Sequence, residues 1–202
     1  MDQLTAGYTL RCNTPSDIFE HLPTLQRLAS ECESVLECGV AGCVSSWALA
    51  HGLASNKNAT KRKLGCCDIR PCPLGPLPET CMAAGIDISV YWQNDLTINE
   101  EWDFVFIDSW HVYGQLIREL EHFAPLTRKI IAMHDTTVDG LTSESIRQNM
   151  DIESQVRETG WPRMEIEAGL QPAIIQFLEN HPEWEKVEEY TNNNGLTVLR
   201  RK

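Results

Sequence analysis

Apolar and polar positions alternate along this chain between two periods. Short runs rich in branched and aromatic residues read as buried strands: Ser34-Val35-Leu36-Glu37-Cys38, Leu64 to Ile69, Asp87 to Trp92, Trp102 to Asp108 and Arg128 to Met133. Between them lie stretches with helical spacing, roughly Val44 to Ala54, a short one near Glu79 to Ala84 behind the proline-rich segment 71–78, and Tyr113 to Phe123, where Leu116, Leu120 and Phe123 share a face. A first helix is expected from Thr14 to about Ser30, with Thr14 as its cap, Pro15 in the first helical position and Asp17 in the first turn. Past the fifth strand come a polar helical stretch, Ser143 to Glu158, and an amphipathic helix, Gln171 to Asn180. Glu185 to Tyr190 and Leu196 to Leu199 then flank Asn194-Gly195, a hairpin signal. Alternating strands and helices predict an α/β layer fold whose mostly parallel sheet ends in an antiparallel strand pair, seven strands in all.

The chain has 202 residues, so one domain is expected, with 42% apolar and 23% charged residues, enough to bury a core. Its 29 acidic against 17 basic residues give a net charge of −12, and there is no Lys/Arg-rich block. That balance speaks against nucleic acid or an anionic membrane surface as partner. No stretch reaches about 20 uninterrupted apolar residues, and the first residues lack the basic-then-apolar order of a signal peptide. A soluble, cytoplasmic protein is the expectation. Eight cysteines fall within the first 81 residues without a C-x-x-C pair; they are expected as structural thiols rather than as a zinc site or a disulfide framework.

In an open α/β sheet, ligands bind beyond the carboxyl ends of the strands. The residues there are Glu37 and Gly39, Asp68, Asn94 and Asp95, Asp108 and His111, and His134 with Asp135. Glycines after the first strand allow close approach of a nucleotide-like ligand, and an acid ending the second can accept ribose hydroxyls. The loop Gly39-Val40-Ala41-Gly42-Cys43-Val44-Ser45-Ser46 is neither G-x-G-x-x-G nor a phosphate-binding P-loop. Asp108 and His134-Asp135 converge if their strands are neighbours, and two carboxylates with an imidazole suit Mg²⁺ or Mn²⁺. Equally, those acids could cap the turns that follow.

Glu37-Cys38-Gly39-Val40-Ala41-Gly42 with Ser45-Ser46, Cys67-Asp68-Ile69, Phe106-Ile107-Asp108-Ser109-Trp110-His111-Val112-Tyr113 and Met133-His134-Asp135-Thr136-Thr137 resemble class I S-adenosylmethionine-dependent methyltransferases. Within that class the chain is similar to metal-dependent sugar O-methyltransferases, the macrolide-sugar and cephalosporin-hydroxylase-like group. One departure stands out: E-x-G-x-G-x-G becomes Glu37-x-Gly39-x-Ala41-x-Cys43, with the second glycine displaced to Gly42.

The resemblance implies a Rossmann-like, doubly wound fold over residues 1–202, with an N-terminal helical segment at 1–30 and acceptor-site helices at 138–182. It implies S-adenosyl-L-methionine bordered by Glu37, Gly39 and Ser45, held at its ribose by Asp68 and at its adenine by Asn94, Asp95 and Trp110. A divalent Mn²⁺ or Mg²⁺ would sit on Asp108, His134 and Asp135, with His111 as the base that deprotonates a sugar hydroxyl, its ordinary pKa of about 6.5 suiting that task. His21, His51, His122 and His181 are expected as structural or exposed residues. The acceptor would be a small molecule or glycan, for instance a deoxyhexose such as rhamnose, contacted by Trp161, Arg163 and Gln148. The chain could also be one domain of a larger glycan-building enzyme. Competing readings are an NAD-dependent oxidoreductase, a non-haem iron oxygenase using His134, Asp108 and His111, and an inactive methyltransferase-like binding module.

Overall fold

The computed structural model describes residues 2–202. In chain order, α1 (Gln3–Cys12) and α2 (Leu22–Ala29) precede β1 (Ser34–Cys38), α3 (Ser45–Ser55), β2 (Lys63–Asp68), α4 (Leu77–Ala83), β3 (Asp87–Trp92), β4 (Trp102–Ile107), α5 (Tyr113–Phe123) and β5 (Thr127–His134). Then α6 (Glu144–Arg147), α7 (Ile152–Thr159), α8 (Arg163–Glu167) and α9 (Leu170–Asn180) lead to β6 (Trp184–Tyr190) and β7 (Leu196–Arg201). The strands form one sheet in the order β3-β2-β1-β4-β5-β7-β6. The first five run parallel, while β7 lies antiparallel to both β5 and β6. This is the doubly wound α/β fold with a C-terminal antiparallel pair that the sequence predicts.

Burial on both faces explains why the central strands read as continuous apolar runs. Val35, Phe104, Phe106, Ile130 and Ala132 point to one side, where they pack with Leu22, Leu25, Leu28, Ala48 and Leu49 of α2 and α3. Their neighbours Leu36, Val105, Ile107, Ile131 and Met133 point to the other, against Leu116, Leu120 and Phe123 of α5 and Ile174 and Phe177 of α9. Six of the eight cysteines are buried and all are free thiols; burial pushes the Cys66 and Cys38 thiols well up, as befits small apolar core residues. None of the described helices is long and apolar enough to cross a membrane.

The N-terminal helices differ from the expected single one. Residues 3–12 are helical because Asp2 caps them, its Oδ1 accepting the Thr5 N–H at 2.8 Å. Thr14 donates its hydroxyl to Leu10 O at 2.8 Å, so it closes α1 rather than opening the next helix, and α2 begins at Leu22 with Pro23 in its first turn. The expected helix from Ser143 to Glu158 is divided at Asn149, which adopts φ 54°. Each half has its own cap: Ser143 accepts from Ile146 N and Asp151 from Ser154 N. The short helix α8 follows Pro162 and was not anticipated.

The hairpin between β6 and β7 reaches back under the functional edge of the sheet. Asn194 O accepts the N–H groups of Thr137 and Val138, both at 2.9 Å, and Asn193 O accepts the Nε2–H groups of His21 and His134, both at 3.1 Å. Gly195 has φ 100°, and a Cβ there would lie 2.3 Å from Thr137 Oγ1 and 2.5 Å from its nitrogen. Gly195→Ala is therefore expected to cost at least about 2 kcal/mol in urea unfolding, through a left-handed backbone and a backbone clash together.

Candidate functional site

The loop after β1 is built on close approach. Gly39 has φ 94°, donates its N–H to Cys67 O at 2.8 Å, and a Cβ on it would fall 1.8 Å from Asp108 O. Beyond it, Ala41 (φ 39°) and Cys43 (φ 56°) both hold left-handed conformations, whereas Gly42 has no positive φ. The turn thus keeps its bends at 39, 41 and 43, and Gly42 does not stand in for a displaced glycine. A non-glycine residue held there costs about 1 kcal/mol or more.

Under this loop lies Glu37, fully buried, accepting hydrogen bonds from Ser45 Oγ and Ser46 Oγ, both at 2.5 Å. Both oxygens are engaged, so Glu37 and Ser45 support the loop and the start of α3 from beneath. Asp68, at the end of β2, accepts from Val40 N (3.0 Å) and Ala41 N (3.1 Å) through Oδ2 and from Arg70 N (3.1 Å) through Oδ1. Burial pushes its carboxyl up, but the hydrogen bonds from Arg70, Ala41 and Val40 outweigh burial and hold it below the usual range. The Cys72 thiol also lies against this carboxylate.

The second half of the site is an acid–histidine cluster at the ends of β4 and β5. Asp108 Oδ1 lies 3.3 Å from His111 Nε2 and 3.2 Å from His134 Nδ1. Burial alone would raise the Asp108 carboxyl; the two imidazoles hold it well below its ordinary value. His134 is buried, with Nδ1 turned to Asp108 and Nε2 to the Asn193 carbonyl. The trio whose donor atoms come within 4.8 Å of one another is instead Asp108, His111 and Asp135. His111, expected as the base, belongs to this trio, and His134, expected as a ligand, lies beside it on Asp108.

His111, the expected base, lies among carboxylates. Its Nδ1 faces Asp135 (3.0 Å), Asp139 (3.3 Å) and Glu144 (3.5 Å). Burial favours the neutral ring, while the hydrogen bonds to Asp108 and Asp139 and the surrounding carboxylates push its pKa up. Asp135 itself sits in a left-handed conformation (φ 56°), with burial pushing its carboxyl up and its Oδ1 buried without a partner. Asp139 is fully buried and held by Arg147 Nε at 2.6 Å and Nη2 at 2.8 Å. Asp139 and Glu144 escaped the sequence reading; the signal for Asp139 was its place four residues after Asp135, one turn on, where its N–H donates to Asp135 O.

The adenine candidates are divided. Asn94 is exposed and accepts the Leu96 N–H; Asp95 is buried and accepts the same N–H at 2.8 Å. Behind Asp95 lies Glu119 of α5, fully buried and pushed well up by burial and by the Asp95 carboxyl, with Ser109 and Gln115 donating to its Oε1. Trp110 stacks on Trp161 (centroids 5.8 Å apart) and donates to Ser145 Oγ, so its ring joins the segment over the strand ends. Arg118 lies 4.1 Å over the Trp161 ring, and Gly114 leaves that ring room against α5. Of the other expected acceptor contacts, Arg163 pairs with Glu153 and Glu167 on the surface, and Gln148 donates to Glu144 Oε1.

A cleft of about 570 Å³ lies between α1, α3 and α4 around Thr5, His51 and Thr80 and contains none of the strand-end residues. The cavity beside Trp110, His111, Glu119 and His134 holds only about 10 Å³, room for roughly one water. The candidate chemistry therefore lies at the strand ends and not at the larger void.

No protein-family profile and no curated protein sequence matches the chain. Solved structures do. An O-methyltransferase from Bacillus cereus in complex with S-adenosylhomocysteine superposes with a TM-score of 0.58 at 14% identity, covering 98% of this chain and 90% of that one. The O-methyltransferase TomG from Streptomyces achromogenes, bound to S-adenosylmethionine, gives 0.57 at 12% identity over 100% and 91%. The N-terminal domain of EvdMO1, solved with S-adenosylhomocysteine and D-fucose, gives 0.51 at 13% identity over 94% and 85%. The chain has the fold of class I methyltransferases. Its antiparallel β7 between β5 and β6 separates it from the dinucleotide-binding order 3-2-1-4-5-6, against an NAD enzyme.

Two measurements check the loop. Ala41→Gly is expected to raise stability by about 1 kcal/mol in urea unfolding, by relieving a left-handed alanine that is solvent-exposed. Burial, opposed by Ser45 and Ser46, pushes Glu37 from its ordinary 4.5 up to about 7. Between these values the folded chain keeps a proton that the unfolded chain loses, so stability falls as pH rises through that window. Unfolding free energies of Glu37→Gln are expected to fall less steeply there, by up to about 1.4 kcal/mol per pH unit.

Proposed function

We propose that this protein is an S-adenosylmethionine-dependent O-methyltransferase that methylates a hydroxyl of a sugar, with a divalent cation at the acceptor side. The observation that carries the reading is the meeting, at one edge of a class I methyltransferase sheet, of the Gly39–Cys43 loop anchored on Asp68 with the trio Asp108, His111 and Asp135. The trio fits a cation: two carboxylates and an imidazole converge, and Asp135 Oδ1 is buried with no partner. Mn²⁺ is favoured over Mg²⁺ by the imidazole. The sugar acceptor is supported by the sequence resemblance and by the D-fucose accompanying the EvdMO1 domain.

When bound, the cation would act as a Lewis acid that lowers the pKa of an acceptor hydroxyl, and S-adenosylmethionine would supply the methyl group on its sulfonium. The chain's own contribution is placement. Asp68 holds the glycine loop through Val40 and Ala41, and its carboxylate would accept a ribose hydroxyl. Glu37 fixes the loop from below, through Ser45 and Ser46. Asp108 orients both histidines, and the stacked Trp110 and Trp161 cover the edge and exclude water. Alignment of this kind is the main requirement for an in-line methyl transfer.

Calorimetric titration with S-adenosylhomocysteine tests both halves. Asp68→Ala is expected to weaken binding by about 1.5–3 kcal/mol, the scale of hydrogen bonds to a charged acceptor; unchanged affinity rules the contact out. Asp108→Ala is expected to keep nucleoside binding within threefold and to abolish methyl transfer to sugar acceptors; undiminished turnover would remove the cation from the account.

A further inference from the structure

Arg11 stands in the last turn of α1, and its side chain reaches the loop after β1. Gly7 makes this possible: a Cβ there would fall 2.0 Å from the Trp47 ring, so α1 lies close on the first turn of α3. Arg11, one turn after Gly7, covers the same ring with its guanidinium 4.3 Å from the centroid. Nη1 donates to Gly7 O at 3.1 Å, and Nε donates at 3.2 Å to the carbonyl of Cys43, the last residue of the Gly39–Cys43 loop. These two bonds and the ring fix the fork, and Nη2 has no hydrogen-bond partner among the described residues.

Acids outnumber bases 29 to 17 in this chain, yet among the described residues no carboxylate pairs with Arg11; burial lowers its pKa and the Cys43 thiol alone opposes that. Arg62 and Arg201 also bind carbonyls rather than carboxylates, but at helix C-termini: Arg62 on Leu53 O and Asn56 O at the end of α3, Arg201 on Ala124 O at the end of α5. The helix dipole favours a cation there. The Arg11 guanidinium is held beside the start of α3, where the dipole disfavours it and favours an anion. No side chain caps that start, because Ser45 and Ser46 turn their hydroxyls down to Glu37. A part-buried cation without a counter-charge thus meets the end of the loop, and an anionic group placed there would pair with it.

On the reading above, the ligand of this loop is S-adenosylmethionine, whose one anionic group is the α-carboxylate of its methionine end. We propose that Arg11 binds this carboxylate through Nη2, so that α1 is part of the cofactor site and selects for the amino-acid end of the nucleoside. The inference rests on the cofactor reading and adds to it a binding residue from outside the sheet. A guanidinium already held by two carbonyls and a ring is oriented before the ligand arrives, so little side-chain freedom is lost on binding.

The test is calorimetric titration of the full chain with S-adenosylhomocysteine and with its decarboxylated analogue, which keeps the adenosine, the thioether and the amine. The wild-type chain is expected to bind S-adenosylhomocysteine at least about tenfold more tightly than the analogue, the scale of a hydrogen bond between charged groups. Arg11→Gln, which can keep the contact with Cys43 and the stem on Trp47, should lose this preference through weaker binding of S-adenosylhomocysteine, with the analogue within about threefold of wild type. Arg11→Lys, which keeps the charge, should recover part of it. Equal losses for both ligands in Arg11→Gln mark a structural role and overturn the proposal. So do a wild-type chain indifferent to the carboxylate, an undiminished preference in Arg11→Gln, and Arg11→Lys no better than Arg11→Gln. A wild-type chain that binds neither ligand overturns the cofactor reading itself.

Discussion

The side chain of Asp108 ties together the three parts of this site. Its carboxylate is shared by His111 and His134, one from the loop that follows it and one from the next strand. Its backbone is as constrained: Asp108 N donates to Cys38 O at 2.7 Å, and its carbonyl packs so closely on residue 39 that only glycine fits. One residue therefore sets the register of β1 against β4, the shape of the glycine loop and the direction of two imidazoles. A buried carboxylate is costly to desolvate unless charged or hydrogen-bonded partners surround it, and both histidines are held in place by that demand.

The same physics spreads outward. His134 can serve Asp108 because the hairpin tip supplies the Asn193 carbonyl to its other nitrogen, which ties the antiparallel C-terminal pair to the chemistry at the end of β5. His111 is surrounded by acids drawn from the turn after β5 and from α6, with Arg147 balancing Asp139. Above them, Trp110, Trp161 and Arg118 form a stacked cover that joins α5 to the segment between β5 and α9. The site is thus closed and cohesive, with polar groups that exceed what its own residues satisfy.

Much of this was legible in the sequence. Strand ends are marked by abrupt changes from apolar runs to acids, and those changes located Asp68, Asp108 and Asp135 at one edge of the sheet. The Tyr113–Phe123 helix was readable from Leu116, Leu120 and Phe123, because helical spacing and burial agree there. What was hidden follows from contacts between distant segments. Nothing local distinguishes the surroundings of His111 from those of His134; the contact of His134 with the Asn193 carbonyl comes from 59 residues further on. Trp110 was expected as a ring for adenine; the stacking of Trp161 on one of its faces joins residues 51 apart and leaves no local mark in the sequence. The α1 helix was missed although Asp2 and Thr5 carry a cap signal, since Pro15 drew the expected helix start into the wrong turn. Gly42 looked like a displaced glycine, yet backbone geometry at Ala41 and Cys43 shows that the bends kept their positions and their residue types changed.

A crystal structure of the chain with S-adenosylhomocysteine and Mn²⁺, with diffraction collected at the manganese absorption edge, tests the account most directly. The account predicts nucleoside density on the Gly39–Cys43 loop with its ribose at Asp68, and one anomalous peak among Asp108, His111 and Asp135. Nucleoside bound elsewhere, or full nucleoside occupancy with no anomalous peak in that cluster at saturating Mn²⁺, would contradict it.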